Sequence, residues 1–391
     1  MAWLLSGATV LARLSGAFTI LFSLLAALAA SRLLRRRHPA WRQAPPVTII
    51  KPLKGLDRGL YENLRGFCRL DYPSYQLLFT LASPDDPALA LLKRLRAEFP
   101  DLDMEVVVSG KLIGFNPKVN NASNAAPFVK HDLILLSDSD VRVREDFLRR
   151  MTAPLGDPGV GLVTAFYRAG PAAGFWSRLE SLSVNAQFLP QALVAAAFGM
   201  RFAMGAAMLV RREAFERAGG FQGMANHLAD DFILGEGVKS AGYRIALADC
   251  VVESMPDGGG ALECLGHQAR WARTIRLCNP EGYLGSMPLH GFSWLTAKLL
   301  MIGFDPWSAA LALGVLLAKA ASGAFIARLC ESAPDSALLL PLSEWLSCGA
   351  WLFGFRSTKV LWRGQLYEVE PRGRLVPARE PARLAEPIAA P

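Results

Sequence analysis

The chain has 391 residues and a formal net charge of +8; 52% of its residues are hydrophobic and 19% are charged. With a mean hydropathy of +0.25 it is greasier than a typical soluble protein. No basic stripe with interleaved aromatics appears, so the positive charge suits an anionic membrane face or an anionic nucleotide and excludes a nucleic-acid groove. Its six cysteines, Cys68, Cys250, Cys264, Cys278, Cys330 and Cys348, form no C-x-x-C pair, which argues for reduced cytoplasmic thiols over a zinc or redox site.

The apolar excess sits at both ends. Residues 14–31 carry no charge and, with the segment from Trp3, are long enough to cross a bilayer, which takes about 20 residues. Arg13 interrupts the longer run and can snorkel to an interface. A cleaved secretory signal carries its positive charge before the apolar core, whereas Arg32, Arg35, Arg36, Arg37 and Arg42 follow it here. The pattern predicts an anchor over 1–34 with cytoplasm after it.

From 45 to 285 apolar strands alternate with amphipathic helices. Strands are predicted at 47–51, 76–81, 105–108 and 133–137. Helices are predicted at 61–70, with Leu64, Phe67 and Cys68 on one face, and at 88–99, with Leu91, Leu92, Leu95 and Phe99 at helical spacing. This interleaving predicts an α/β fold with a largely parallel sheet, whose ligands sit at the carboxyl ends of strands. Two acidic clusters fall just past such ends.

Asp85-Asp86 precedes Pro87 and reads either as a helix start or as a carboxylate near a nucleobase or ribose. Asp138-Ser139-Asp140 sets two carboxylates on one side of an extended segment, which suits a divalent cation with a diphosphate. A helix N-cap is the plain alternative there. Lys118, in the polar run Asn116-Pro117-Lys118-Val119-Asn120-Asn121, is either a point charge for diphosphate or a solvent-facing residue of a capped helix. Asp230-Asp231 opens a helical apolar pattern and reads as a cap or as a general base. Arg270 and Trp271 lie on a helix predicted over 262–277. They suit a clamp on phosphate and sugar, or a basic face against lipid headgroups.

The last third holds apolar stretches at 289–304, 307–327 and 337–355. The residues after Phe355 are basic (Arg356, Lys359, Arg363, Arg372, Arg374, Arg379 and Arg383), which favours the cytoplasm and so an even number of crossings. The expectation is two spans, 307–327 and 337–355, with 289–304 in or near the interface and a loose extension after Glu370. The resulting division is an anchor at 1–34, a catalytic domain at 45–285, interfacial and transmembrane helices at 286–358, and a basic cytoplasmic tail at 359–391.

Five segments, in this order, resemble the ceramide glucosyltransferase family of membrane glycosyltransferases: Lys51-Pro52-Leu53-Lys54-Gly55, Leu70-Asp71-Tyr72-Pro73, Asp85-Asp86-Pro87-Ala88, Asn116 to Asn121, and Arg270-Trp271. The resemblance covers residues 47–280 and extends weakly to both apolar ends. It implies a GT-A nucleotide-sugar fold and inverting transfer of a sugar, glucose first, from a UDP-sugar to a membrane-lipid hydroxyl, ceramide first. Diacylglycerol or a hopanoid lipid as acceptor, or processive polysaccharide synthesis, are the alternatives. The D-x-D pair calls for a Mg2+ or Mn2+ cofactor, and the short charged spacers suggest a bacterial inner-membrane protein, whose catalytic domain the positive-inside rule places in the cytoplasm.

By the same resemblance, Asp86 falls on the aspartate at the uridine side of the donor, Asp138 on the metal–diphosphate residue and Asp231 on the catalytic base. Arg270 and Trp271 end the Q/R-x-x-R-W element, and Lys118 lies in a segment close to the nucleotide. Asp140 completes a D-x-D metal pair with Asp138, where animal members tend to have glycine; Asp85, Asp230 and His267 are further candidates. His267 takes the first position of the Q/R-x-x-R-W element, and Phe188 stands where animal members carry a histidine. Those departures touch the acceptor side more than the donor side.

Overall fold

The computed structural model describes residues 2–41, 43–256, 259–362 and 365–378; Arg42, Arg363, Arg379 and Arg383 lie outside them. The chain starts with α1 (Ala2–Leu33) and then builds an α/β domain. Its strands are β1 (Val47–Pro52), β2 (Tyr75–Leu81), β3 (Met104–Val108), β4 (Leu133–Ser137), β5 (Val141–Arg142), β6 (Val160–Ala169), β7 (Ala207–Arg211) and β8 (Arg244–Ser254). They form one sheet in the order β3-β2-β1-β4-β7-β6-β8-β5. Only β7 and β5 run against their neighbours, so the sheet is mixed and mostly parallel. β1 and β2 are buried along nearly their whole length, which is why they read as unbroken apolar runs.

The domain's helices are α2 (Leu60–Phe67), α3 (Ala88–Glu98), α4 (Pro117–Ser123), α5 (Phe147–Thr152), α6 (Phe175–Ser183), α7 (Leu189–Ala197), α8 (Arg212–Arg217), α9 (Gly220–Met224) and α10 (Asp230–Ser240). Two apolar layers cover the sheet. One includes Leu64 and Phe67 of α2, Leu92 and Leu95 of α3, and Phe147 and Met151 of α5. The other includes Val119 of α4, Phe215 of α8 and Leu234 and Val238 of α10. Successive strands step outward from β1 through β2 to β3, then return to β4 on the other side of β1. A doubly wound sheet opens its ligand crevice at that reversal, between the carboxyl ends of β1 and β4.

After the sheet come α11 (Ala261–Cys278), α12 (Pro280–Gly285), a 3-10 turn over Met287–His290, α13 (Gly291–Met301), α14 (Pro306–Leu329) and α15 (Leu340–Phe353). Helical segments Leu5–Leu33, Pro306–Leu329 and Ala337–Arg356 are long and apolar enough to cross a membrane. α1 and α14 lie side by side and run the same way. Arg13 pairs with Asp305 at 2.8 Å at one end, and Ile326 packs with Ala26, Ala29 and Ala30 at the other. Their approach to α13 depends on small residues: a Cβ at Gly291 would sit 2.6 Å from Thr19 Oγ1 and 2.8 Å from Gly16 Cα.

The third long segment behaves differently from the expected span. Before it, Asp335 accepts from Asn185 Nδ2 at 2.9 Å; at its far end, the Gly354 and Ser357 carbonyls accept from Arg276 of α11. Both ends therefore rest on the α/β domain, and the helix lies against α6 and α11. The hairpin that leaves the domain and comes back is α13–α14.

The expected loose extension is also corrected as far as Pro377. β9 (Lys359–Trp362), β10 (Gln365–Glu370) and β11 (Arg374–Pro377) form an antiparallel sheet in the order β11-β10-β9. Val360, Tyr367, Val369 and Leu375 bury an apolar face against Leu228 and Leu277. Residues 379–391 lie outside the described part.

Candidate active site

The crevice predicted by the strand order is lined by charge. Lys51, at the end of β1, is fully buried, and its Nζ donates to Ser137 Oγ at 3.2 Å and to the Asp138 carbonyl at the end of β4. Burial pushes this lysine down to about 7, although Asp140 and Asp138 favour its charge. Its stem lies under the Phe67 ring, with Nζ 3.8 Å from the centroid. The sequence signal was a lysine inside an otherwise apolar strand. By sequence Lys51 ends the first strand and opens a family segment, with no site role of its own.

Lys118 is the hub. Asn116 caps α4, accepting from the Lys118 and Val119 amides, and so fixes the lysine at the first turn. Lys118 Nζ then meets Asp138 Oδ1 at 2.7 Å and Asp230 Oδ2 at 3.0 Å. Burial opposes its charge, but Asp138, Asp230 and Asp231 outweigh burial and hold its pKa well above the ordinary lysine value. The solvent-facing alternative for Lys118 is thereby set aside.

Asp231 stands in the first turn of α10. Gly205 N–H donates to its Oδ2 at 3.0 Å and Phe232 N–H to its Oδ1 at 2.8 Å, so the carboxylate is held from two sides. Burial and the neighbouring Asp230 raise its pKa to about 6 against the pull of Lys118 and these two amides. Asp140 is raised to about 6 as well, first by burial and then by Asp138, while the Ser254 hydroxyl donates to it. Ser139 between them donates to Asp57 at 2.6 Å. Burial, with added effects of Asp231, Asp140 and Asp138, raises the phenol of Tyr167 on β6. Asp57, Tyr167 and Ser254 had no sequence signal, because Asp57 comes from the loop after β1, Tyr167 from β6 and Ser254 from the end of β8.

The other expected residues spread outward. Asp86 binds the Gly55 amide with both carboxylate oxygens, at 3.1 and 3.0 Å, and the Ala88 amide at 2.9 Å. It thus ties the loop after β1 to the start of α3, next to the crevice. Gly55 takes φ +71, so the tie closes on a glycine conformation. Asp85 points into solvent, and only its backbone amide is engaged, by Ser83. The structure gives Asp85 no part in the group.

His267 is turned to α6, its Nδ1 2.9 Å from the buried Glu180 carboxylate, and it lies beside Trp271. Arg270 and Trp271 are half-buried on α11, which packs on α6 and α15. Among the described residues, no three or more His, Cys, Asp or Glu side chains gather into a metal-binding set. Asp138 and Asp140 form a carboxylate pair, and one or two carboxylates are what a Mg2+ or Mn2+ ion needs when a diphosphate supplies further oxygens.

A mostly parallel sheet with carboxylates at the reversal of strand order defines a GT-A-like fold. The mannosyltransferase PcManGT from Pyrobaculum calidifontis, in complex with GDP-Man and Mn2+, shares it with a TM-score of 0.52 at 20% identity, over 89% of this chain and 97% of that one. The model of Glycosyl transferase family 21 matches residues 9–375, and the chain belongs to that family.

Among curated proteins, ceramide glucosyltransferase 3 of Caenorhabditis elegans is 31% identical over 205 residues, 52% of this chain and 45% of that protein. The ceramide glucosyltransferase of Candida albicans is 32% identical over 122 residues, 28% of this chain and 22% of that protein. The chain thus spans less than half the length of these relatives.

Proposed function

We propose that this protein moves glucose from UDP-glucose to the hydroxyl of a membrane lipid, ceramide first, with inversion at the anomeric carbon. The observation that carries the proposal is the meeting on Lys118 of Asp138, from the end of β4, and Asp230, beside Asp231 at the start of α10. Carboxylates of separate strands and helices gather there, within a family whose curated relatives are named as ceramide glucosyltransferases.

Each residue then has a task. Asp86 holds the Gly55 loop where the uridine end would lie. A Mg2+ or Mn2+ ion fits Asp138 and Asp140 and, when bound, supplies positive charge to the departing diphosphate. Lys118 uses two of its N–H bonds on Asp138 and Asp230 and has a third for a phosphate oxygen. Asp231 takes the proton of the lipid hydroxyl. A pKa near 6 leaves it mostly ionised at neutral pH while keeping it a useful base. Arg270 and Trp271 cover the donor from α11.

The apolar helices favour a lipid over a soluble acceptor. α1 and α14 are read as crossing the bilayer, with their C-terminal ends at the α/β domain and the arginines after α1 placing that domain in the cytoplasm. Purified protein in detergent, given labelled UDP-glucose, ceramide and Mn2+, is expected to make a β-linked glycolipid. Asp231→Asn should bind donor normally and transfer no sugar; full transfer by that variant would overturn the base assignment.

A further inference from the structure

The link between α14 and α15 closes a pocket against the carboxyl ends of β6 and β8. Its walls include Arg168 of β6 and Gly170 just after it, Arg178 of α6, Glu253 of β8 and Asp335 of the link. The pocket holds about 280 Å3. A single water needs roughly 10–15 Å3 of such space, so there is room for a head group. It also stands beside the acidic pair: the Gly170 amide donates to the Ser254 carbonyl at 2.9 Å, and the Ser254 hydroxyl donates to Asp140.

Arg168 and Asp335 are matched within the protein. Arg168, only 6% exposed, donates from Nη2 to the Ala333 carbonyl at 3.3 Å. Asp335 accepts from Asn185 Nδ2 at 2.9 Å; burial raises its pKa, and Asn185 and Arg168 oppose that rise. Arg178 and Glu253 are not matched. Among the described residues, neither the Arg178 guanidinium nor the Glu253 carboxylate has a hydrogen bond or an ion pair. One unmatched cation and one unmatched anion thus line the same pocket. A ligand of a single sign would leave one of them facing a like charge or nothing, whereas a ligand carrying both signs satisfies both.

The pocket's height says where such a ligand comes from. Ser332, which also lines it, follows the last residue of α14 by three positions, and α14, taken as a bilayer crossing, ends at the α/β domain. That is the level of lipid head groups. Next to the lining Leu339, Leu338 is 89% exposed, and Phe175, one turn before Arg178, is 48% exposed. Large apolar side chains left bare beside a charged pocket suit acyl chains under a polar head.

We propose that this pocket binds the head of a zwitterionic phospholipid, its phosphate on Arg178 and its ammonium on Glu253, as a site distinct from that of the sugar acceptor. This rests on α14 crossing the membrane, and not on which donor or acceptor the transfer uses.

The test is lipid retention by the full chain in detergent, read by native mass spectrometry. No UDP-sugar or ceramide is present, so a failed pocket and a failed transfer are told apart. One equivalent of phosphatidylethanolamine should be held about 3- to 10-fold more tightly than phosphatidylglycerol, which lacks the ammonium, or a neutral monoglucosyl diacylglycerol. Glu253→Gln should erase the preference over phosphatidylglycerol, and Arg178→Ala should weaken both phospholipids by about 3- to 10-fold. Neither side chain has a partner to lose, so both variants should melt with the parent protein. Equal or tighter retention of either comparison lipid by the parent, or unchanged retention in both folded variants, would overturn the site. Water-soluble glycerophosphoethanolamine should compete at least about 10-fold worse than the lipid, since it brings nothing to Leu338 and Phe175. Equal competition would make the ligand a soluble one and sink the lipid assignment.

Discussion

Lys118 and Asp231 oppose each other electrostatically, and that opposition sets how the site responds to pH. With Asp231 as the proposed base, which works when deprotonated, kcat/KM should rise with pH through about 6. Lys118 pulls that value down, so Lys118→Met should move the acid limb to higher pH and lower kcat/KM by about 100-fold. A limb that stays in place would remove Lys118 from contact with the base. Asp140 carries the thermodynamic side of the same argument. Its native pKa, near 6, lies above the unfolded value of about 3.9, so the native state holds its proton more tightly. Stability from this group is therefore full below the unfolded value and is lost as pH rises through 6. Asp140→Asn should melt higher than the parent protein at pH 8 in chelator, while losing transfer; an unchanged or lower melting temperature would contradict the linkage. At this scale the sequence was legible where residues sit side by side. Asp138, Asp140, Asp230 and Asp231 could be picked out because each pair is local. Asp57 and Tyr167 could not, because each acquires its neighbours from a distant part of the chain.

Among the elements, the small C-terminal sheet does something its composition hides. The Leu228 amide donates to the Gly373 carbonyl at 2.8 Å, and the Leu375 amide donates to Asn226 at 2.7 Å. Asn226 Oδ1 in turn accepts from Phe115 N–H, and Asn116, the cap that fixes Lys118, donates to the His227 carbonyl. The sheet thus grips the loop that precedes Asp230 and, through Asn226 and His227, the turn before Lys118. Leu375 is fully buried, and Leu375→Ala should cost about 2–5 kcal/mol locally. Transfer is expected to fall sharply while far-ultraviolet circular dichroism keeps its shape; normal transfer would show that the grip is dispensable. The sequence hid this sheet because its strands are only four to six residues long and are set among basic residues, the pattern of a solvated tail. By contrast, β1, β2, β4, α3 and α11 were legible, since continuous apolar runs and helical spacing speak for themselves. β6 and β7 gave no clear period, because a strand buried on both faces looks like any apolar segment.

For the whole molecule the question is which helices leave the α/β domain. Hydropathy picked 307–327 and 337–355 as a pair, and it counts length and apolarity alone. Contacts give another pairing, with α13 leading away and α14 leading back, while Ala337–Arg356 stays against the domain. At 1.5 Å per residue, the 24 residues of α14 span about 36 Å, enough for the hydrocarbon core. On this arrangement, single cysteines placed at Ser336 and Ser357 in a cysteine-free background should react with a membrane-impermeant maleimide from the same face of sealed vesicles. Reaction from opposite faces would make Ala337–Arg356 a crossing and restore the pairing of 307–327 with 337–355.

The order of synthesis follows from the same architecture. α1, α13 and α14 emerge from the ribosome before β9 to β11 do. A chain arrested just before Lys359 would be seated in the bilayer with its sheet folded, yet its aspartate-bearing loop would still lack its clasp. On the proposed function, competence for transfer would follow insertion, because the clasp is made after α1, α13 and α14.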